Sequence, residues 1–164
     1  MSRPSITIIP PLLEKSLQNA FKVMMNANAK IGRMSMDASV ASKFRIDCLS
    51  TITLNSSTLA GTLSLGFGSP AFLALLTAML GEPYTEITPE NSDAASELLN
   101  IVYANSRKEM NEAGFDFEPS IPTTVIGTAL HLAKSNLAGQ ALFFEGESDF
   151  GPFLMTLSLK AKTA

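Results

Sequence analysis

The chain has 164 residues, enough for one domain of ordinary size, and its 46% apolar content supports a buried core. Fifteen acidic against twelve basic residues leave a formal charge of −3 with no long run of Lys or Arg, which argues against nucleic acid as a partner. No segment approaches the roughly 20 apolar residues that span a bilayer, the N-terminus has too short an apolar run for a secretory signal, and the single cysteine, Cys48, cannot form an internal disulfide, so a cytoplasmic, soluble protein with no membrane association is expected.

After Pro10-Pro11, Leu13, Leu17, Phe21 and Met24 or Met25 recur at helical spacing, which predicts an amphipathic helix from Leu12 to Ala29 that ends near Gly32. Residues 1–9 then form an extension or an edge strand, and the core runs from about 12 to 159 of a single domain. From Met34 to Gly66 the pattern becomes β-rich. Phe44-Arg45-Ile46-Asp47 and Ser50-Thr51-Ile52-Thr53-Leu54 read as strands, and the turn at Asn55-Ser56-Ser57 leads to a third through Leu59, Gly61, Leu63 and Leu65. Ser69 caps and Pro70 starts a short helix, Ala71 to Leu80, that stops at Gly81.

Thr88-Pro89 opens a long helix that Gly114 closes after about seven turns. Phe115-Asp116-Phe117, Thr123 to Ile126, Gln140 to Phe144 and Phe153 to Leu159 follow as strand candidates. The order is that of an α+β fold, with long helices packed on antiparallel sheet. The second half repeats the plan of the first. Placing Pro10 over Pro89 sets Val23 over Val102 and Asn26 over Asn105, and suggests two pseudo-symmetric halves. In that register Glu14, Gln18 and Phe21 stand where the second half has Asp93, Glu97 and Asn100, so only the second copy carries a carboxylate and amide pair.

That pair is the chemical feature of the chain. Residues three and four apart share a helix face, so Asp93, Glu97, Asn100 and Ala104 form a strip that ends near Arg107, with Ala95, Leu98, Val102 and Ala113 on the opposite side. A carboxylate and a primary amide that face water add nothing to a core. They are suited to gripping a cation and orienting a water molecule. The Glu-x-x-Asn spacing alone arises by chance in roughly a third to a half of chains of this length. Here it sits with Asp93 on a helix bounded by Thr88-Pro89 and Gly114, and Pro122 opens a strand twenty-one intervening residues later.

The run from Asp93 to Val102, with Gly114-Phe115-Asp116-Phe117 and Ile121-Pro122-Thr123-Thr124-Val125-Ile126-Gly127, resembles the CheX branch of the CheC/CheX/FliY chemotaxis phosphatases. The signature of that family is an Asp or Ser, a Glu four residues on, an Asn three further and a proline about twenty-two later. Asp93, Glu97, Asn100 and Pro122 match it, and in outline the resemblance runs from Leu12 to Leu159. Ala104 departs from the glycine that family members often carry, which bears on how closely a partner's backbone can approach.

The resemblance implies a CheC-like fold, a homodimer, and hydrolysis of the phosphoaspartate on a CheY-like receiver domain. The chain then needs no cofactor of its own, because Mg²⁺ resides in the receiver. It further implies that Asn100 orients the attacking water and Glu97 pairs with the receiver's lysine. Asp93 supports the strip or a partner contact, and Pro122 shapes the strand entry. Two other readings stay open: a non-catalytic module that binds a receiver or a flagellar switch component, and a scaffold domain of that switch.

Other polar residues carry blander expectations. Arg107 and Lys108 more often solvate a helix than dock a partner. His131 has no second His and no nearby Cys to make a metal site. Cys48 lacks a neighbouring base and reads as packing, the methionines as core filling, and Gly66 to Pro70 as a strand-to-helix turn with no phosphate-loop lysine. The apolar strand from Phe153 to Leu159 is the expected pairing edge of a dimer.

Overall fold

The computed structural model describes residues 2, 4–132 and 139–163. Among the described residues three α-helices, α1 (Ile9–Met25), α2 (Ser69–Leu80) and α3 (Pro89–Glu112), accompany six strands. The strands are β1 (Ala29–Ser35), β2 (Cys48–Asn55), β3 (Leu59–Phe67), β4 (Thr123–Ile126), β5 (Gln140–Ser148) and β6 (Gly151–Ala161). They form one antiparallel sheet in the order β1-β5-β6-β3-β2-β4. Alternate residues of each strand point to opposite faces. Phe144, Met155, Leu157, Leu63, Leu65 and Ile52 face the three helices in the main core. Phe143, Leu154 and Ala141 face the other way, under a 3₁₀ turn at Ala38–Lys43.

The sheet order is palindromic, which gives the internal repeat a physical form. Hairpin β2–β3 pairs Cys48 with Phe67, and hairpin β5–β6 pairs Gln140 with Leu159, so Ser64 and Thr156 are equivalent positions. Those two residues pair directly across β3 and β6, and a pseudo-two-fold axis passes between them. The strands approach closely here: a Cβ on Gly61 would overlap the Ser158 carbonyl oxygen. The C-terminal strand β6 is therefore central, paired on both sides. It is not the free edge expected of it, because its apolar face is spent on the core, and β1 and β4 are the edges.

The helices obey the same two-fold relation. Pro4 lies 3.8 Å from where a Cβ on Gly114 would stand, Lys15 pairs with Glu109 at 2.9 Å, and the Ser16 hydroxyl donates to the Val102 carbonyl at 2.6 Å. As α1 advances α3 recedes, so the two run antiparallel. The Pro10-over-Pro89 register does not survive, because it sets exposed Val23 over buried Val102 and buried Phe21 over exposed Asn100. Burial instead equates Leu13 with Ala95, Leu17 with Leu99, Ala20 with Val102 and Phe21 with Tyr103. Lys15 then occupies the place of Glu97 and Gln18 that of Asn100.

Several boundaries shift for local reasons. Pro10 and Pro11 lie inside the first turn of α1, where backbone N–H groups have no intrahelical acceptor and proline costs nothing. Ile6–Ile8 is a 3₁₀ turn leading into α1, not an edge strand. The helix stops at Asn26, whose left-handed backbone (φ 49°) returns the N–H to Lys22, and Gly32 falls in β1. Phe44 to Asp47 form no strand: Phe44 closes the 3₁₀ turn, and Asp47 is drawn into a buried cluster described below. Phe115 to Phe117 form none either, since Asp116 is left-handed (φ 44°). The two rings stack 5.6 Å apart, and Asn111 substitutes for a strand partner, accepting from the Phe117 N–H at 2.7 Å and donating to its carbonyl at 2.9 Å.

Asp47, 2% exposed, joins three segments. Its carboxylate accepts from the Ser69 N–H and hydroxyl (2.8 Å each), the Ala129 N–H (2.9 Å) and Arg45 Nε (3.2 Å). Burial works to raise its pKa, but the bonds from Ala129, Ser69 and Arg45 outweigh it and hold the group at about 2. Gly68, the N-cap of α2, has no side chain to offer, and Asp47 supplies the missing carboxylate. Through Ala129, and through its own carbonyl to the Gly127 N–H (3.0 Å), it also fixes the chain leaving β4. Among the described residues no helix is long and apolar enough to cross a membrane.

Candidate functional site

The strip lies on α3, the longest helix among the described residues. Thr88 caps α3 by a reciprocal pair: its hydroxyl accepts from the Asn91 N–H (3.2 Å) and its own N–H donates to Asn91 Oδ1 (2.8 Å). Pro89 then occupies the first turn. Ala95, Leu98, Leu99, Val102 and Ser106 are buried against the sheet and α1, while Asp93, Glu97, Asn100 and Ala104 are exposed together on the opposite face. Ala113, expected on the buried side, is instead the exposed C-cap, because the helix has ended there.

Two hydrogen bonds clamp the next segment of chain alongside this strip. Tyr103 donates its hydroxyl to the Glu118 carbonyl at 2.7 Å, and the Ser96 and Thr124 hydroxyls share a bond of 2.5 Å. As the chain runs from Glu118 to Thr124, its anchor points move back along α3 from Tyr103 to Ser96. Half-buried Pro122 therefore lies level with the turn that holds Glu97 and Asn100. Asn100 stands about 40° round the helix from Ser96 and Glu97 about 100° from it, so the amide leans toward the Pro122 segment and the carboxylate toward α1.

Arg107 is half-buried at the Tyr103 end and leans toward the same segment. Burial pushes the Tyr103 phenol up, the Arg107 charge opposes that shift and Glu118 adds to it. The Cys48 thiol, wholly buried beneath the helices, is pushed up to about 12 by desolvation and is inert at neutral pH. Among the described residues no cluster of three or more His, Cys, Asp or Glu is placed to hold a metal ion.

The structure thus gathers Asp93, Glu97, Asn100 and Ala104 on one open face, sets Pro122 beside them and places Arg107 at the edge. Three contributors escaped the sequence: Ser96 and Tyr103, which pin the neighbouring segment, and Asp47, which anchors its far end. Tyr103 carried a readable signal, a tyrosine on the buried side of an amphipathic helix whose hydroxyl needs a partner.

A carboxylate and an amide thus stand together on the exposed face of α3, beside a proline-led edge strand. The sequence model of the family described as "Chemotaxis phosphatase CheX" matches residues 48–145, which include all of α3 and β4. The chain belongs to that family. Its fold is similar to that of the chemotaxis protein CheX from Vibrio vulnificus, with 20% identity, a TM-score of 0.82, and coverage of 98% of this chain and 100% of that one. A CheC-like superfamily protein from Shewanella sp. PV-4 is 26% identical, with a TM-score of 0.81 and 95% and 99% of the two chains covered. The CheX–CheY–BeF3–Mg complex from Borrelia burgdorferi contains a chain 14% identical, with a TM-score of 0.73 and 93% and 97% covered. No curated protein matches the chain in sequence.

Proposed function

We propose that this chain hydrolyses the phosphoaspartate of a CheY-like receiver domain, with Asn100 and Glu97 as its working pair. The observation that carries the reading is their joint exposure on α3, within the segment matched by the phosphatase family. An acyl phosphate is already activated, so catalysis reduces to placing a water in line. Water adds to phosphorus, the bond from phosphorus to the acyl oxygen breaks, and the products are the free carboxylate and inorganic phosphate. The primary amide of Asn100 both accepts and donates, as holding that water requires. Glu97 makes a charge-assisted bond to the receiver's lysine and fixes the docked register.

In this reading Asp93 and Arg107 flank the contact, Ala104 sets how near the partner backbone comes, and Pro122 holds the adjoining strand entry in place. The Mg²⁺ belongs to the receiver, in keeping with the Borrelia complex of CheX with CheY, BeF3 and Mg. The equivalent face of α1 carries Lys15 and Gln18, and Lys15 is paired with Glu109, so one face alone is equipped. A homodimer of this chain has β1 or β4 available for pairing. The test is kinetic: Asn100→Ala should lose stimulated dephosphorylation while still binding the receiver, and normal turnover by that variant would remove Asn100 from the mechanism.

A further inference from the structure

The two most exposed large apolar side chains among the described residues are Ile121, 88% exposed, and Val23, 75% exposed. Single exposed apolar residues are ordinary on a soluble protein. These two are set apart by where they stand.

Ile121 lies in the segment clamped between the Tyr103–Glu118 and Ser96–Thr124 bonds, next to Pro122 and on the Asn100 side of the strip. Val23 lies on α1. From the Lys15–Glu109 pair, the antiparallel course of the helices carries α1 forward to Val23 as it carries α3 back to Ile101, about 12 Å along each. Half-buried Ile101 sits on the side of α3 toward α1, one turn from Glu97 and Ala104. Val23 therefore flanks the strip on the side of Glu97. An acidic and amide centre between two bare aliphatic side chains has the anatomy of a docking face: polar groups that act in the middle, and apolar contacts around them that exclude water.

We infer that Val23 and Ile121 are specificity-determining residues that seat on apolar patches of the receiver on either side of its phosphorylated pocket. The inference rests on the proposed phosphatase reading and adds to it the source of affinity. Glu97 and Asn100 serve the hydrolysis, and the flanking aliphatic contacts select among receivers. Both side chains hang from backbone held by other contacts, so their truncation leaves the catalytic pair in place.

The test uses the receiver on which the wild-type protein is active, with steady-state phosphate release as the readout. Val23→Ser and Ile121→Ser should each raise KM about fivefold and the double variant about twenty-five-fold, with kcat unchanged, since contacts on opposite sides of the strip add. Ile121→Leu should keep the wild-type KM. Met34→Ser, which truncates an exposed apolar side chain on the far edge strand β1, should change nothing. A double variant with KM within about twofold of wild type overturns the inference, as does one whose loss lies in kcat. If the wild type accelerates loss of phosphate and Asn100→Ala does not, that overturning falls on the flanking residues alone. If the wild type acts on no receiver, the phosphatase reading fails and this inference fails with it.

Discussion

Replacing Asp47 with asparagine tests whether one buried carboxylate ties α2, the exit of β4 and the loop before β2 together. Four donors converge on its two oxygens, from Arg45, twice from Ser69 and from Ala129. Asparagine keeps one oxygen and turns an NH₂ group toward the other donors, so two of the four lose their acceptor. Hydrogen bonds to a charged group contribute about 1.5–3 kcal/mol, which puts the total loss near 3 kcal/mol at neutral pH.

The pH dependence isolates the charge. The folded-state pKa of about 2 lies below the ordinary value of 3.8. The carboxylate therefore adds stability that is fully present above pH 4 and is lost as pH falls toward 2. The shift corresponds to about 2 kcal/mol, with about half of that gone by pH 3. Urea unfolding of wild type and Asp47→Asn across this range should show a gap near 3 kcal/mol at neutral pH that narrows as the wild-type carboxylate protonates. Scanning calorimetry should show a Tm lower by roughly 6–12 °C at pH 7. A gap below about 1 kcal/mol at pH 7, or one of constant size down to pH 3, would show that the Asp47 charge does not hold these segments together.

Two further substitutions probe the site and its support. Tyr103→Phe removes the hydroxyl that holds the Glu118 carbonyl and should cost about 1 kcal/mol; faster amide exchange confined to residues 118–124 would show that the bond pins this segment, and unchanged exchange would show that it does not. Glu97→Ala should raise the KM for the phosphorylated receiver with a melting temperature near wild type, because its side chain faces water; unchanged affinity and rate would dismiss the contact with the receiver's lysine.

Much of the fold was legible because the punctuation is strong. Gly81 and Gly114 stop their helices, Thr88-Pro89 opens α3, and buried and less buried residues alternate along β2. The places that misled are those where tertiary contacts overrode a local pattern. Phe44 to Asp47 alternate like a strand, yet Asp47 answers to Ser69 and Ala129, residues remote in sequence. Phe115 and Phe117 alternate too, but Asn111 caps them from the helix end. β6 looked like an edge because its apolar residues are continuous, a pattern that a central strand shares. The strip itself was readable from three- and four-residue spacing. Its flanks were not, since Val23 and Ile121 are brought to it from other elements.

The lifetime of phosphoaspartate on a panel of receiver domains with Mg²⁺ present, with and without this protein, measures the proposed phosphatase activity itself. Faster decay on at least one receiver, lost in Asn100→Ala while that variant still binds, is expected. Unchanged decay on every receiver, with binding still measurable, would contradict it and leave a family member that docks on receivers without hydrolysing them.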